Sequence, residues 1–314
     1  MSNLDYTRRD FLKTSAMAVC GTAAGTYSAE AQQAGVDIPD AEELTLEISG
    51  VDKAFSFIHW TDAHLCECDQ RDKQHLKYLV QRTKVFGGNP TGIARGMVRH
   101  FNALKPDLVA MTGDLLDVPT KKNIEIGAEI LESIDSPSSF AVGNHEWCRP
   151  ADPPDRDYWR PRLRPITEQP LDWHVQQLNG VNLLFVDDSN YQITAEQLRK
   201  TQKLLEDGRN CVLFLHIPVA IDSLVPSTVQ KWRTPILLGA KGISANKRKQ
   251  WGMGERIKPS TAAFCKLVKT HPQVQAIFAG HIHFDHQDEY RQGCSQYVTA
   301  PGYQKRYRNV RVVS

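Results

Sequence analysis

A short stretch near the C-terminus, residues 280–286, reads GHIHFDH and brings three histidines and one aspartate together. Imidazole nitrogens and carboxylate oxygens are common protein ligands of zinc, iron and manganese. The pair His281 and His283 could complete a metal site whose other ligands come from earlier in the chain. Alternatively, His281, His283, Asp285 and His286 could start a metal site of their own. The rest of the sequence decides between these two interpretations.

Residues of the same chemical types follow apolar segments at four earlier places. Near-continuous apolar runs predict strands that are buried on both faces, in a sheet covered by helices. In such an α/β sheet, ligand-binding residues gather outside the carboxyl ends of the strands. We therefore expect one crevice to contain the residues that follow FSFIHW, LVAMT, SSFAV, CVLFL and VQAIFA, namely Asp62, His64, Asp114, Asn144, His145, His216, His281 and His283.

These residue types are the ones that a two-metal hydrolase needs. Such an enzyme holds its ions roughly 3.5–4 Å apart, so one ligand must contact both. Asp114 is the single carboxylate placed for this role, since a carboxylate has two oxygens and can bridge. The mixture of imidazole, carboxylate and amide donors favours iron, manganese or zinc over calcium.

Taken in order, five motifs resemble the calcineurin-like metallophosphoesterase family. They are D-x-H at 62–64, G-D at 113–114, G-N-H-E at 143–146, a lone histidine at 216 and G-H-x-H at 280–283. The family fold is α/β (α+β), a four-layer αββα sandwich in which two mixed β-sheets pack face to face with helices outside. The resemblance implies one such domain over residues 51–314, with insertions at about 65–90 and 219–258. Residues 32–50 would form a linker and the first strand.

The resemblance also implies a binuclear hydrolase of phosphomonoesters or phosphodiesters. It would use two divalent or mixed-valence ions and a metal-bridging hydroxide for in-line attack on phosphorus. The implied ligands are Asp62, His64, Asp114 and His283 for the first ion, and Asp114, Asn144, His216 and His281 for the second. His145 would stabilise the phosphoryl group or protonate the leaving oxygen. Glu146 could orient His145.

Metallo-β-lactamase-type hydrolases offer the other interpretation of GHIHFDH, because they carry an H-x-H-x-D-H motif. In those enzymes the motif comes early, and further ligands follow from a long downstream region. Here only 28 residues follow His286, and no histidine is among them. The four earlier motifs would also stay unexplained, so we favour the phosphoesterase interpretation.

A non-catalytic scaffold or binding protein of the same fold is a second alternative. Such proteins usually lack the bridging aspartate or the catalytic histidine, whereas this chain keeps Asp114 and His145. Asp117 stands where purple acid phosphatases carry a tyrosine, and Val118-Pro119 replace the Arg-Gly of Ser/Thr protein phosphatases. The pattern is closest to the bacterial group that includes class III cyclic-nucleotide phosphodiesterases. We therefore expect a small-molecule phosphate ester as substrate.

The segment 219–258 is rich in basic residues and gives the best local clue to the substrate. It follows the predicted strand that ends at His216, so it could fold over the crevice and meet an anionic substrate. Trp232 and Trp251 could stack on a base or a sugar. The alternative is a solvated surface loop.

The N-terminus resembles a twin-arginine export signal. TRRDFLK at residues 7–13 is followed by a weakly apolar stretch and by a small-x-small site that ends at Ala31. This pattern predicts a signal peptide over residues 1–31, the twin-arginine export machinery as a partner, and a periplasmic or secreted location. A disordered basic arm is the alternative.

Composition adds few constraints. The formal charge is +2, from 38 Lys and Arg against 36 Asp and Glu, which gives no reason to expect a nucleic acid as partner. We find no apolar run long enough to predict a transmembrane helix. Six of the seven cysteines lie beyond residue 31, and the sequence does not indicate which of them could pair. The oligomeric state also stays open.

Overall fold

The computed structural model describes residues 40–147 and 156–314, and their strands form two sheets. The strands are β1 Asp40–Glu47, β2 Phe55–Trp60, β3 Leu108–Thr112, β4 Ser138–Ala141, β5 Trp173–Leu178, β6 Val181–Val186, β7 Cys211–Phe214, β8 Val274–Ala279, β9 His286–Arg291, β10 Cys294–Val298 and β11 Arg306–Val313. The helices are α1 Leu76–Val85, α2 Pro90–Leu104, α3 Lys121–Glu132, α4 Arg156–Trp159, α5 Ala195–Leu205, α6 Leu224–Trp232, α7 Ala245–Gln250 and α8 Pro259–Thr270. Residues 1–31, the predicted signal peptide, lie outside this part of the chain.

Both sheets are mixed, as predicted. The first sheet has the order β1-β11-β2-β3-β4, and its strands β2, β3 and β4 run parallel. The second sheet has the order β5-β6-β7-β8-β10-β9, with antiparallel strands only at its two edges. In each sheet the central parallel strands therefore end at one common edge.

The two sheets pack face to face through an apolar layer. The ring of Phe57 on β2 meets the rings of Phe214 on β7 and Phe278 on β8 edge to face, with centroid distances of 5.5 and 5.1 Å. Helices α2 and α3 cover the outer face of the first sheet, and α5, α6 and α8 cover that of the second. Because β3 and β6 are covered on both sides, all of their residues are buried. The predicted αββα sandwich is confirmed.

The two expected insertions contain helices, which their polar composition concealed. Helix α1 lies within residues 65–90 and buries Leu79 and Arg82 on one face, while Leu76 and Val80 on the other face are exposed. Within residues 219–258, α6 buries every fourth residue, and the side chain of Ser244 caps α7. These helices are short, and α1 and α7 carry several basic side chains, so their periodicity is weak in the sequence.

Two further observations concern the predictions on cysteines and membranes. In the described part of the chain, the thiols of Cys66, Cys211, Cys265 and Cys294 are free. None of the helices in this part has both the length and the apolar character that a membrane span requires.

Candidate metal centre

The candidate site lies where the parallel strands of both sheets end. Past the end of β2, the N–H groups of Asp62 and His64 donate to the carbonyl oxygens of Gly113 and Asp114, which follow β3. In the second sheet, the N–H of Gly280 after β8 donates to the carbonyl oxygen of His216 after β7. These backbone bonds bring the loops of neighbouring strands together. The structure places all seven predicted ligands and His145 at this edge.

Three of the predicted ligands form a first cluster that could hold a metal ion. Their ligand atoms, from Asp62, His64 and His283, all lie within 4.8 Å of one another. Oδ1 of Asp62 lies 3.1 Å from Nε2 of His283, and the Nε2 atoms of His64 and His283 are 3.2 Å apart. Each of these two rings has its Nδ1 close to another polar group, Asp117 Oδ1 at 3.1 Å and the Tyr303 hydroxyl at 3.2 Å. Both Nε2 atoms are therefore available to a cation.

Asp114, His216 and His281 form a second cluster of the same kind. Nε2 of His216 lies 3.3 Å from Oδ2 of Asp114 and 3.2 Å from Oδ1 of Asn144, so Asn144 belongs to this side of the site. Nδ1 of His216 is 2.7 Å from the carbonyl oxygen of Thr112. The hydroxyl of Tyr191 is 2.8 Å from Nε2 of His281, which leaves Nδ1 of that ring for an ion.

Asp114 connects the two clusters, but through one oxygen and not through both. Its Oδ1 accepts a hydrogen bond of 2.9 Å from the backbone N–H of His145. Its Oδ2 lies 3.7 Å from Nε2 of His64 and 3.3 Å from Nε2 of His216. This single oxygen therefore faces the first cluster on one side and the second on the other.

The backbone at the site adopts conformations that L-residues rarely take. Asp62, His64, Asp114, His281 and His283 all have positive φ angles, between 49° and 68°. Each such residue costs of order 1 kcal/mol or more, and it persists only where the surroundings enforce it. This left-handed backbone conformation turns the side chains toward one another at the strand ends. Such strain is common at functional sites.

Glycines allow the loops to approach the ligands closely. A Cβ atom on Gly143 would overlap Oδ1 and the backbone nitrogen of Asp114. A Cβ atom on Gly280 would overlap Asp62 and the hydroxyl of Thr61, which donates to Oδ2 of Asp62 at 2.7 Å. Glycine is therefore required at these two positions because another loop approaches so closely.

Glu146 does not orient His145, contrary to the expectation from the sequence. Its buried carboxylate accepts hydrogen bonds from the backbone N–H groups of Asp114, Leu116 and Gly143, at 2.7–3.0 Å. Glu146 therefore fixes the loop that carries Asp114. Asp188 has a similar role, because it accepts from the N–H groups of His216 and Ile217.

The group that does contact His145 is Asp117, for which no role was predicted from the sequence. Nδ1 of His145 lies 2.8 Å from the carbonyl oxygen of Asp117 and 3.2 Å from its Oδ1. The same Oδ1 faces Nδ1 of His64. Arg82 of α1 donates to both carboxylate oxygens of Asp117 at 2.7 and 2.8 Å. The spacing G-D-x-x-D could have indicated Asp117, but no local signal indicates Arg82.

Electrostatics at the site reflect the close packing of carboxylates and imidazoles. Burial lowers the pKa of His283 to about 4 and that of His281 well below its ordinary value. Burial also disfavours the charged form of His216, but the nearby Asp114 carboxylate outweighs it and raises the pKa of His216 to about 10. Hydrogen bonds to Asp117 and Asp62 likewise outweigh burial and raise the pKa of His64 to about 9.

The donor set fits two divalent cations. Imidazole nitrogens together with carboxylate and amide oxygens suit iron, manganese or zinc. Buried carboxylates and imidazoles this close together repay their desolvation best when cations bind between them. The rings of His64 and His216 also have an acceptor at the nitrogen that points away from the cluster, as metal-bound histidines usually do.

Comparisons with known proteins agree with this geometry. A family model described as calcineurin-like phosphoesterase matches residues 55–285, well over half of the chain. A search of curated proteins gives no match.

Several solved structures are similar to the chain. A dimetal phosphatase from Danio rerio is 11% identical, with a TM-score of 0.48, over 80% of this chain and 88% of that one. Purple acid phosphatase PPD1 from yellow lupin (Lupinus luteus) is 14% identical, with a TM-score of 0.49, over 80% of this chain and 44% of that one. TT1561 of Thermus thermophilus is 10% identical, with a TM-score of 0.44, over 80% of this chain and 91% of that one. These structures are too distant in sequence to assign the chain to a family, whereas the family model matches residues 55–285.

Metal binding to the metal-free protein should release protons. The raised pKa values of His64 and His216 mean that both rings are protonated at pH 7 without metal, whereas a metal ion needs a neutral ring. We expect metal affinity to increase from pH 6 toward pH 9, because fewer protons must then be displaced. Isothermal titration calorimetry in buffers of different ionisation enthalpy would count the protons that metal binding releases. The His216→Gln variant should release about one proton fewer than the unmodified chain. A heat of binding that is the same in all buffers would contradict this account.

Proposed function

Because the chain belongs to the calcineurin-like phosphoesterase family, we propose that the centre at its strand ends hydrolyses the phosphate esters of small molecules. Family membership and the two ligand clusters make the protein a metal-dependent phosphoester hydrolase with a binuclear centre. One observation supports the assignment of residues most directly. Oδ2 of Asp114 lies between His64 of one cluster and His216 of the other, where a bridging ligand must be.

We assign the ligands on this basis. The residues proposed for the first ion are Asp62, His64, Asp114 and His283, and those for the second are Asp114, Asn144, His216 and His281. The two ions would be iron, manganese or zinc. When bound, they would supply the Lewis acidity that activates water and neutralises the phosphoryl oxygens.

His145 is the proposed catalytic residue that is not a ligand. Its Nδ1 is held by the backbone carbonyl oxygen of Asp117, and its Nε2 lies 4.0 Å from Oδ2 of Asp114. The ring therefore points Nε2 into the centre, where it can donate a hydrogen bond or a proton to the leaving oxygen of the ester. The residue is 6% exposed, so little water competes for that proton.

The basic segment 219–258 contributes one cation close to the centre. Nζ of Lys231, at the end of α6, donates to the carbonyl oxygen of His283 at 2.5 Å and lies 5.3 Å from the ring centre of Phe284. Burial lowers the pKa of Lys231 to about 8, so the ammonium form still prevails at pH 7. An ammonium group has three N–H donors. We propose that Lys231 also binds an anionic oxygen of the substrate.

The two tryptophans of this segment have packing roles in the structure. Trp232 is buried, donates from Nε1 to the carbonyl oxygen of Ile282 and meets the His283 ring edge to face. Trp251 is partly buried against the apolar cluster on the outer face of the second sheet. The Trp232 ring is therefore buried too deeply to stack on a substrate base.

Substitution of a metal ligand should reduce both metal content and kcat, whereas substitution of His145 should reduce kcat alone. We expect Asp114→Asn to lose metal and at least about 100-fold in kcat, because a bridging ligand is removed. His145→Ala should keep its metal and lose about 10²- to 10⁴-fold, the usual contribution of a general acid. Metal analysis with assays of p-nitrophenyl phosphate and bis-p-nitrophenyl phosphate would test this and identify the preferred ester class. His271→Ala, at the end of α8, is the matched control, and full activity in Asp114→Asn or His145→Ala would refute the proposal.

If Lys231 binds the substrate, replacing it with a residue that cannot donate a hydrogen bond should raise KM. A lost hydrogen bond to a charged group costs roughly 1.5–3 kcal/mol, so Lys231→Met should raise KM by about 10- to 100-fold. Lys231→Arg should restore part of this loss because it keeps the charge. The exposed Lys247 and Lys249 of α7 provide controls, whereas the buried Arg248 donates to the carbonyl oxygen of Met253 and is unsuitable. An unchanged KM for every phosphate substrate would exclude a binding role for Lys231.

We also propose that the protein is exported through the twin-arginine pathway to the periplasm or beyond. The support is the motif TRRDFLK at residues 7–13 and the small-residue site ending at Ala31. A reporter protein fused behind residues 1–31 should be exported. The same fusion with Arg8→Lys and Arg9→Lys together should stay in the cytoplasm. A reporter that stays in the cytoplasm with the native sequence would refute export.

A further inference from the structure

The helix inserted after the first motif carries a buried arginine that reaches the candidate centre. Arg82 on α1 is 3% exposed, and its guanidinium group donates from Nε to Oδ2 and from Nη2 to Oδ1 of Asp117. Such a two-pronged ion pair fixes the plane of a carboxylate as well as its position. Arg82 and Asp117 are separated by 35 residues in the sequence. The pair therefore joins the insertion to the loop after β3.

The fixed carboxylate faces two imidazoles that have different proposed roles. Oδ1 of Asp117 lies 3.1 Å from Nδ1 of His64 and 3.2 Å from Nδ1 of His145. An acceptor at Nδ1 keeps the proton on that nitrogen and leaves Nε2 directed into the site. One carboxylate thus orients a proposed metal ligand and the proposed catalytic histidine together.

The end of the same helix contacts His64 on its flat side. The ring of Phe86 stacks on the ring of His64 at a centroid distance of 4.3 Å and an angle of 9°. The guanidinium carbon of Arg82 lies 4.5 Å from the centre of the Phe86 ring. His64 is therefore held at Nδ1 by Asp117 and at its face by Phe86. Both contacts depend on the position of α1, which carries Arg82 and ends just before Phe86.

We propose that Arg82 is a positioning residue that fixes Asp117 and, through it, the orientation of His64 and His145. This inference rests on the roles proposed above for these two histidines. Without Arg82, the Asp117 carboxylate would lose a donor at each oxygen and could rotate. Nε2 of His64 would then face its ion less well, and Nε2 of His145 would face the leaving oxygen less well.

A simple anchor for α1 would produce a different pattern. An ion pair that only attached the helix would affect the stability of the fold and would reduce activity on all substrates by the same factor. A buried ion pair is also a weak source of stability, because its desolvation offsets much of its attraction. A positioning role predicts selective effects on metal binding and on substrates that need a proton at the leaving oxygen.

The test uses Arg82→Met, which keeps apolar length but removes the donors, and Arg82→Lys, which keeps the charge but loses the two-pronged geometry. Arg95→Met is the matched control, because Arg95 forms an exposed ion pair with Glu129 on the neighbouring helices α2 and α3. All variants are compared with the unmodified chain by thermal unfolding, by manganese affinity from chelator competition, and by kcat at saturating manganese. The substrates are aryl phosphates with leaving groups from p-nitrophenol to phenol.

We expect Arg82→Met to bind manganese about 10- to 100-fold more weakly, as removal of a group that orients a ligand usually does. Its kcat should fall about tenfold more on phenyl phosphate than on p-nitrophenyl phosphate, since phenol needs general-acid assistance more. Arg82→Lys should fall between Arg82→Met and the unmodified chain, which keeps the test decisive if Arg82→Met does not fold. Arg95→Met should behave like the unmodified chain.

Two results would overturn the proposal. They are manganese affinity unchanged from that of the unmodified chain, or an equal loss of kcat on every aryl ester. If the unmodified chain hydrolysed no phosphate ester at all, the proposed function would fail. The manganese affinities of the Arg82 variants would still decide whether Arg82 positions the site.

Discussion

The convergence of buried carboxylates and imidazoles on Oδ2 of Asp114 is the constraint on which the rest of the structure depends. This oxygen is at the junction of the two sheets, between His64 after β2 and His216 after β7. Neither sheet alone supplies both neighbours. The face-to-face packing through Phe57, Phe214 and Phe278 therefore determines the distance between the two halves of the site.

The backbone must adopt strained conformations to hold the site residues in place. Five of the proposed ligands have left-handed backbone conformations, and the loops approach so closely that Gly143 and Gly280 leave no room for a side chain. Buried acceptors compensate by binding backbone N–H groups, as Glu146 does for the Asp114 loop. The ligands are thus oriented by the folded protein, which reduces what ion binding has to rearrange.

Local patterns in the sequence predicted the buried strands and the converging residues, whereas the sandwich of two sheets was expected from the family resemblance. Apolar strands followed by ligand-type residues are visible within a few positions, and parallel strand ends must meet. The contacts around these residues depend on tertiary packing and could not be predicted. Glu146 was expected at His145 but binds backbone groups, and Arg82 reaches Asp117 from a helix that the polar composition of its segment concealed.

The central claim is that two cations share Asp114, and anomalous X-ray diffraction from crystals grown with manganese tests it most directly. The account predicts two anomalous peaks roughly 3.5–4 Å apart, one beside His64 and one beside His216, with Oδ2 of Asp114 between them. A single peak, or two peaks too far apart for one carboxylate to contact both, would contradict it.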